Sequence, residues 1–342
     1  MIDLSPILER YAAVRRAGEI GALATLVEVE GSTYMRPGAR AFITPQGDVM
    51  GLVSGGCLEK DLAEHARALS LEVPRRLVVY DLRDDDDIDF GLGLGCKGKL
   101  TILLERIDPR DRANPMERLE AFWNQRPPSP GVLAAALDVA SEEAALADEC
   151  ADVLRTGKTR TVELDGKRFF VEYLAPRTSL AIFGAGPDAV PVAHHAKALG
   201  WQVALWDHRE SALASDGFSV CDERHLVPVV GLARAVAEVR ASAVLVMTHH
   251  YRADLEILRG LAVRRLPYVG LLGPRARTRA LLEELGGREA LEHVHSPAGL
   301  DVGAETAEAI ALSIIAEIHA VLHGRSGGSL RHRGGPIHDR DA

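Results

Sequence analysis

Leu180 to Phe183 reads as a strand, Gly184-Ala185-Gly186-Pro187-Asp188-Ala189 as a tight turn, and the residues after it as a helix. No other feature restricts the fold as much. Glycine adopts backbone angles closed to other residues and lets the chain pass close to a neighbour or ligand. A G-x-G-x-x-A turn between a strand and a helix belongs to a parallel sheet with helices on its faces. The residues downstream agree. Strands at Gln202 to Trp206, Ala243 to Met247 and Tyr268 to Leu272 alternate with helices, and a helix over Ala304 to Leu322 closes the pattern. This alternation predicts an α/β, doubly wound C-terminal domain.

Upstream the pattern is mixed. Ser5 to Arg16 has amphipathic helical spacing, and Gly18 ends it. Ala22 to Glu30 reads as a strand rich in β-branched and apolar residues. Ala41 to Thr44 and Val49 to Val53 flank Pro45-Gln46-Gly47-Asp48, a hairpin signal. A helix from about Leu58 to Leu69 follows, with strands at Leu77 to Asp81 and Leu100 to Leu104. A connector runs near Pro127 to Gly131, and Asp165-Gly166 turns a second hairpin between Thr159 to Leu164 and Lys167 to Tyr173. The expected domains are residues 1–176, mixed α/β, and residues 177–323, doubly wound. Residues 324–342 form a Gly- and Arg-rich tail.

Charge and cysteine usage narrow the functional class. The formal net charge is −9 and basic residues form no long stripe, which argues against nucleic acid or anionic membrane as the main partner. No apolar run approaches the roughly 20 residues of a membrane span. The opening residues lack a basic region followed by an apolar core, so no secretion signal is expected. Four cysteines, Cys57, Cys96, Cys150 and Cys221, are few for 342 residues and suit free thiols in a reducing cytoplasm.

Several segments offer chemistry. In Val53-Ser54-Gly55-Gly56-Cys57-Leu58-Glu59 a cysteine follows two glycines at the first turn of a helix. Free N–H groups and partial positive charge at a helix start favour an anion or thiolate, and lower a thiol's pKa. The competing reading is a tight strand-to-helix bend around a small buried cysteine. Cys96 lies in the glycine-framed run Gly91 to Gly98 beside Lys97, whose charge favours the thiolate. Cys150, in a helical stretch, and Cys221, after a short strand, read as structural. The acidic run Asp84 to Asp87 reads as a solvated loop, with weak cation binding as the alternative.

In the second domain Asp207 ends the strand after the glycine turn, where an acid bonds a ribose 2′-OH and favours NAD over NADP. His208-Arg209 beside it weakens that preference. The competing reading of Gly184 and Gly186 is a fold of this topology without a nucleotide. Thr248-His249-His250-Tyr251 ends the next strand, where open α/β sheets place ligands. Adjacent histidines do not easily ligate one ion, so one of them, His249, is expected to face the cleft; the alternative is a helix-capping turn using Thr248 or Asp254. Arg275 and Arg277 follow Gly273, as phosphate holders or as solvated arginines.

In order along the chain, these segments resemble the XdhC/CoxI family. The resemblance rests on Gly31-Ser32-Thr33, Arg36-Pro37-Gly38, Val53 to Glu59 and Gly93-Leu94-Gly95-Cys96 in the first domain. In the second it rests on Phe183 to Gly186, Val246 to His249, Tyr268 to Gly273, Pro297 to Ala304, Glu308 to Ile318 and Gly334 to His338. It implies an XdhC/CoxI-type domain followed by a Rossmann-like one. It also implies an accessory protein, not a turnover enzyme, that matures xanthine dehydrogenase and related molybdenum hydroxylases. Such a protein binds molybdenum cofactor (molybdopterin), supports its sulfuration and hands it to the apo-hydroxylase. Cys57 and Cys96 are then the expected reactive thiols, with Cys57 a candidate molybdenum ligand, since thiolate is a soft donor. Ser54, Gly55, Gly56, Gly184, Gly186, Asp207, His249 and Arg275 are the expected cofactor-binding residues. The expected partners are a hydroxylase, a sulfurtransferase and a second copy of the chain. One departure from many relatives is Pro187, where they carry His; proline removes an N–H from the phosphate turn. The alternatives are an NAD(P)-dependent oxidoreductase built on the second domain and a docking adaptor with both clefts vestigial.

Overall fold

In the computed structural model, residues 3–31, 33–56, 58–83, 98–137, 146–262, 264–286 and 293–334 are described. The chain divides into two compact units, Met1–Pro176 and Arg177–Ala342.

In the first unit, helix α1 (Ser5–Ala17) has Pro6 in its first turn and Arg15 and Arg16 in its last, where cations suit the helix dipole. Strands β1 (Gly21–Gly31), β2 (Arg40–Ile43) and β3 (Val49–Gly51) precede helix α2 (Glu59–Arg67). Strands β4 (Arg75–Asp81) and β5 (Gly98–Ile107) complete an antiparallel sheet in the order β3-β2-β1-β5-β4. Side chains alternate between the two faces of a strand. Ala22, Ala24 and Leu26 of β1 therefore pack with Val53, Leu58 and Leu62 around α2. Leu23 points the other way and joins Ile7, Tyr11 and Phe42 beneath α1. Helix α3 (Pro115–Trp123), not expected from the sequence, is capped by Asn114, whose side-chain oxygen accepts from the N–H groups of Met116 and Glu117. Strand β6 (Gly131–Ala136), helix α4 (Ala147–Thr156) and strands β7 (Arg160–Leu164) and β8 (Lys167–Leu174) follow. These strands form a second sheet, β6-β8-β7.

The second unit alternates as expected: β9 (Ser179–Phe183), α5 (Ala189–Ala198), β10 (Gln202–Asp207), α6 (Glu210–Leu213), β11 (Glu223–Leu226), α7 (Leu232–Glu238), β12 (Ala243–Val246), α8 (Tyr251–Leu261), β13 (Tyr268–Leu271), α9 (Arg275–Glu284), β14 (Val294–His295) and α10 (Ala307–Leu322). All six strands are parallel, in the order β11-β10-β9-β12-β13-β14. Every residue of β9 and β12 is buried, as a sheet covered on both faces requires. Leu180 and Ile182 of β9 face the cluster built with α5 and α10, while Ala181 and Phe183 face that built with α7 and α8. The winding reverses between β9 and β12, which opens a crevice at their carboxyl ends. Cys221 does not follow a strand: a short 3-10 turn (Asp216–Phe218) lies before it and β11 after it. No helix among the described residues is long and apolar enough to cross a membrane.

Candidate functional site

The first candidate is the turn that enters α2. Glu59 is the first residue of that helix, and its side chain folds back instead of pointing to solvent; it is 9% exposed. Its carboxylate accepts from the N–H groups of Val53 (3.3 Å), Ser54 (3.1 Å) and Leu58 (3.1 Å). The Ser54 hydroxyl donates to it at 2.9–3.0 Å, and in turn accepts from the Gly56 and Leu58 N–H groups at 3.3 Å. A buried carboxylate so bonded is satisfied without a cation, and it fixes the shape of the turn. An acid at the first turn also suits the helix dipole. Gly55 and Gly56 are exposed, and among the described residues a Cβ built on either meets no atom within 4 Å. Gly56 has φ +103°, which other residues rarely adopt. The two glycines thus leave an open cradle beside a rigid turn, one that admits a bulky ligand close to the backbone. Behind it, the Tyr80 hydroxyl donates to Asp61 in the same helix turn. Burial, together with that carboxylate, raises the Tyr80 pKa far above the usual phenol value and keeps it protonated.

The second candidate is the crevice of the parallel sheet. Gly184 has φ +122°, and a Cβ there would lie 2.4 Å from the Met247 carbonyl oxygen. Only glycine lets β9 turn this close to the end of β12. Two donors of the turn are engaged from within, the Gly184 N–H by the Trp206 carbonyl at 2.8 Å and the Ala185 N–H by Asp207. The Ala185 N–H donates to the Asp207 carboxylate at 2.6 Å, and Arg209 holds the same carboxylate through its backbone N–H (2.8 Å), Nε (3.0 Å) and Nη2 (2.8 Å). Burial pushes the Asp207 pKa up, but the Arg209 guanidinium and the two N–H groups outweigh it and hold the pKa at about 2. Asp188 curls over the second glycine, with Oδ1 2.5 Å from where a Gly186 Cβ would stand. Its other oxygen pairs with His249 Nε2 at 2.7 Å. His249 reaches this position with φ +55°, an uncommon angle for a residue with a side chain. A pyrophosphate laid on this turn meets two carboxylates, so these residues do not fit a dinucleotide in this arrangement.

The rest of the crevice is also tied together. Asp254, 1% exposed, accepts from the Thr248 hydroxyl and pairs with Arg277, whose guanidinium lies 5.9 Å above the Tyr251 ring. His250 caps α8, its Nδ1 accepting from the Ala253 N–H at 3.2 Å.

Comparison with known proteins places the chain. A family profile described as "XdhC Rossmann domain" matches residues 180–318, and one described as "XdhC and CoxI family" matches residues 14–81. A protein of Bacillus subtilis (strain 168), named as a probable subunit of xanthine dehydrogenase, is 32% identical over 313 residues, 88% of this chain and 92% of its own. The chain belongs to the XdhC and CoxI family. A further relative, the molybdenum cofactor insertion chaperone PaoD of Escherichia coli (strain K12), is 26% identical over 93% of this chain and 89% of its own. A crystal structure of a xanthine dehydrogenase from Bacillus halodurans superposes with a TM-score of 0.72 at 31% identity, over 96% of this chain and 98% of that one.

In this XdhC/CoxI protein, Ser54, Gly55 and Gly56 come together at the α2 turn. Cys57 and Cys96 lie outside the described residues, as do Ser32 and the acidic run Asp84 to Asp87. Gly184, Gly186, Asp207 and His249 gather at the crevice of the second unit. Arg275 is exposed at the start of α9, and Arg277, not Arg275, is drawn into the crevice network. Cys221 is a poor nucleophile: burial pushes its thiol up to about 11. Sequence reasoning missed Glu59 and Asp188. Glu59 had a signal, since a Glu placed five residues after a Ser at a helix start can bond back to the turn; Asp188 had none, because its partner His249 is 61 positions away.

Proposed function

We propose that this protein is an accessory chaperone of a molybdenum hydroxylase: it holds molybdenum cofactor as cargo, supports its sulfuration and delivers it to a xanthine dehydrogenase-type enzyme in the cytoplasm. The observation that carries the reading is the α2 turn. Its donors are locked on Glu59 while Gly55 and Gly56 face open space, directly before Cys57. Membership of the XdhC and CoxI family and the names of its relatives support the same reading. In this proposal Ser54, Gly55 and Gly56 bring backbone close to the cofactor, and the Cys57 thiolate meets molybdenum or carries sulfur for it, with Cys96 as a second thiol. In the second unit the crevice with Gly184, Gly186, Asp207 and His249 is the proposed separate ligand-binding face, and Arg275, exposed at the start of α9, a proposed contact outside the crevice network. A sulfurtransferase and a second copy of the chain complete the proposed partners. The residues argue against hydride transfer from NAD(P), because Asp188 and Asp207 already occupy the glycine turn.

The test is native mass spectrometry of the full chain offered molybdopterin cofactor, followed by transfer to an apo-hydroxylase. The wild type carries the cofactor mass. Cys57→Ala and Gly55→Ala lose it while melting within a few degrees of the wild type. Undiminished loading and hydroxylase activation by Cys57→Ala remove the thiol role, and undiminished loading by Gly55→Ala removes the cradle.

A further inference from the structure

Helix α10 is unusual in its outward face. Over its sixteen residues it carries two charged side chains, Glu308 and Glu317, where α9 carries five over ten. One of the two is turned inward: the Glu317 carboxylate accepts from the Tyr268 hydroxyl at 2.6 Å and from the Gly299 N–H at 2.9 Å. Ala311, Ile314, Ile315 and Ile318 form the inner face, packed with α5 and the sheet. With 3.6 residues per turn, the opposite side is one stripe of Glu308, Leu312, Ala316, His319 and His323. Leu312 is 55% exposed, Glu308, His319 and His323 are exposed, and Ala316 is half-buried. A helix that meets water on one side carries charged or polar residues there, and one apolar nearly all round is a covered helix. Between Glu308 and His319 the outward side of α10 is apolar.

The stripe also has a direction. It begins with an acid and ends with two imidazoles, whose rings lie 4.2 Å apart. His323 Nδ1 donates to the His319 carbonyl at 2.8 Å, which leaves Nε2 as the nitrogen a partner reaches. Turned end over end, the stripe complements itself. Glu308 meets His323, an acid against an imidazole that donates a charge-assisted hydrogen bond once protonated. Leu312 meets the His319 ring, and Ala316 lies at the centre, where a small side chain lets two helices come close. Each acidic N-terminal end then lies beside the C-terminal end of the other helix, the arrangement that helix dipoles favour.

We propose that this stripe docks on the same stripe of a second copy of the chain, with the two α10 helices antiparallel about a two-fold axis. Such a contact is isologous: one patch serves both copies, and the assembly closes as a dimer. The inference gives a face to the second copy among the proposed partners. It rests on that part of the proposed function and is independent of the cofactor. A helix of this length makes a contact about 24 Å long. That buries less than the roughly 800 Å² per partner of a standard interface, so the dimer is weak, with Kd on the order of 10 μM.

Sedimentation velocity on the full chain, at concentrations on either side of about 10 μM, tests this. The wild type passes from monomer to dimer. Leu312→Lys stays monomeric where the wild type is dimeric, at least about a tenfold loss. It keeps its melting temperature, because Leu312 is more than half exposed and a lysine four residues after Glu308 suits the helix. Glu308→Lys and His323→Glu each break the pair at both ends of the dimer and weaken it about tenfold. The two substitutions together restore it, and this series reads the same face without touching Leu312. A wild type that stays monomeric throughout removes the second copy and this face with it. A dimer that Leu312→Lys leaves intact keeps the second copy but overturns the α10 face. Failure of the double variant to recover overturns the antiparallel pairing.

Discussion

Glu59 gathers three backbone N–H groups and one hydroxyl on a single carboxylate, so the α2 turn has a residue that can be tested apart from the cysteine. Glutamine keeps the length but loses the charge and one acceptor oxygen. Glu59→Gln leaves buried donors short and costs on the order of 1–3 kcal/mol. The measurement is a urea midpoint that falls at unchanged slope; an unchanged midpoint means that the turn does not depend on this carboxylate. Asp207 makes the corresponding statement in the second unit, through pH. Its folded-state pKa of about 2 lies below its ordinary 3.8. Folding therefore favours the carboxylate form, and stability from this source is complete above the ordinary value and lost as pH falls through about 2. The size is on the order of 2 kcal/mol. Asp207→Asn removes that contribution, so wild type and variant differ in stability at pH 6 and converge near pH 2. A constant gap across that range contradicts the assignment.

At the scale of elements, the glycine turn shows what local sequence carries and what it does not. The strand, turn and helix from Ser179 to Ala198 were legible because each signal is local: an apolar run, two glycines and helical spacing. The contents of the crevice were not. Sequence spacing put Asp207 where a ribose binds; the fold instead turns it onto Ala185 and Arg209. Asp188 and His249 meet across 61 positions, a pairing that only the parallel register of β9 and β12 creates. This pairing makes a prediction. The Asp188 carboxylate stands before Gly186, where a phosphate needs to sit. Wild-type protein therefore binds ADP-ribose-type nucleotides weakly. Asp188→Ala removes the repelling charge and tightens binding about tenfold, one charge contact's worth at a partly exposed site. Isothermal titration with NAD compares the two proteins; equal affinities show that the carboxylate does not guard the turn.

For the whole molecule, long-range alternation made the doubly wound half readable, while short elements escaped. Strand β11, Glu-Arg-His-Leu, lacks the apolar run that marked β12 and β13 at the same length, and β14 has two residues, too few for any period to show. Helix α3 was missed although Asn114 before Pro115 is a start signal. Each unit has a core of its own: among the described residues, the clusters around β9, β10 and β12 draw none from the first unit, and those around β1 and β8 none from the second. The second unit begins with its own anchor. Arg177 is buried and donates Nε and Nη2 to the Gly200 carbonyl at 3.0 and 2.8 Å, within that unit. A chain starting at Arg177 keeps this contact and a core large enough for a domain of its length. Such a chain unfolds in urea as a single cooperative transition, followed by circular dichroism and by Trp201 and Trp206 fluorescence, and the two curves coincide. Separate curves, or a compact state that binds hydrophobic dye without fixed tertiary signals, mean that the second unit depends on the first for its packing.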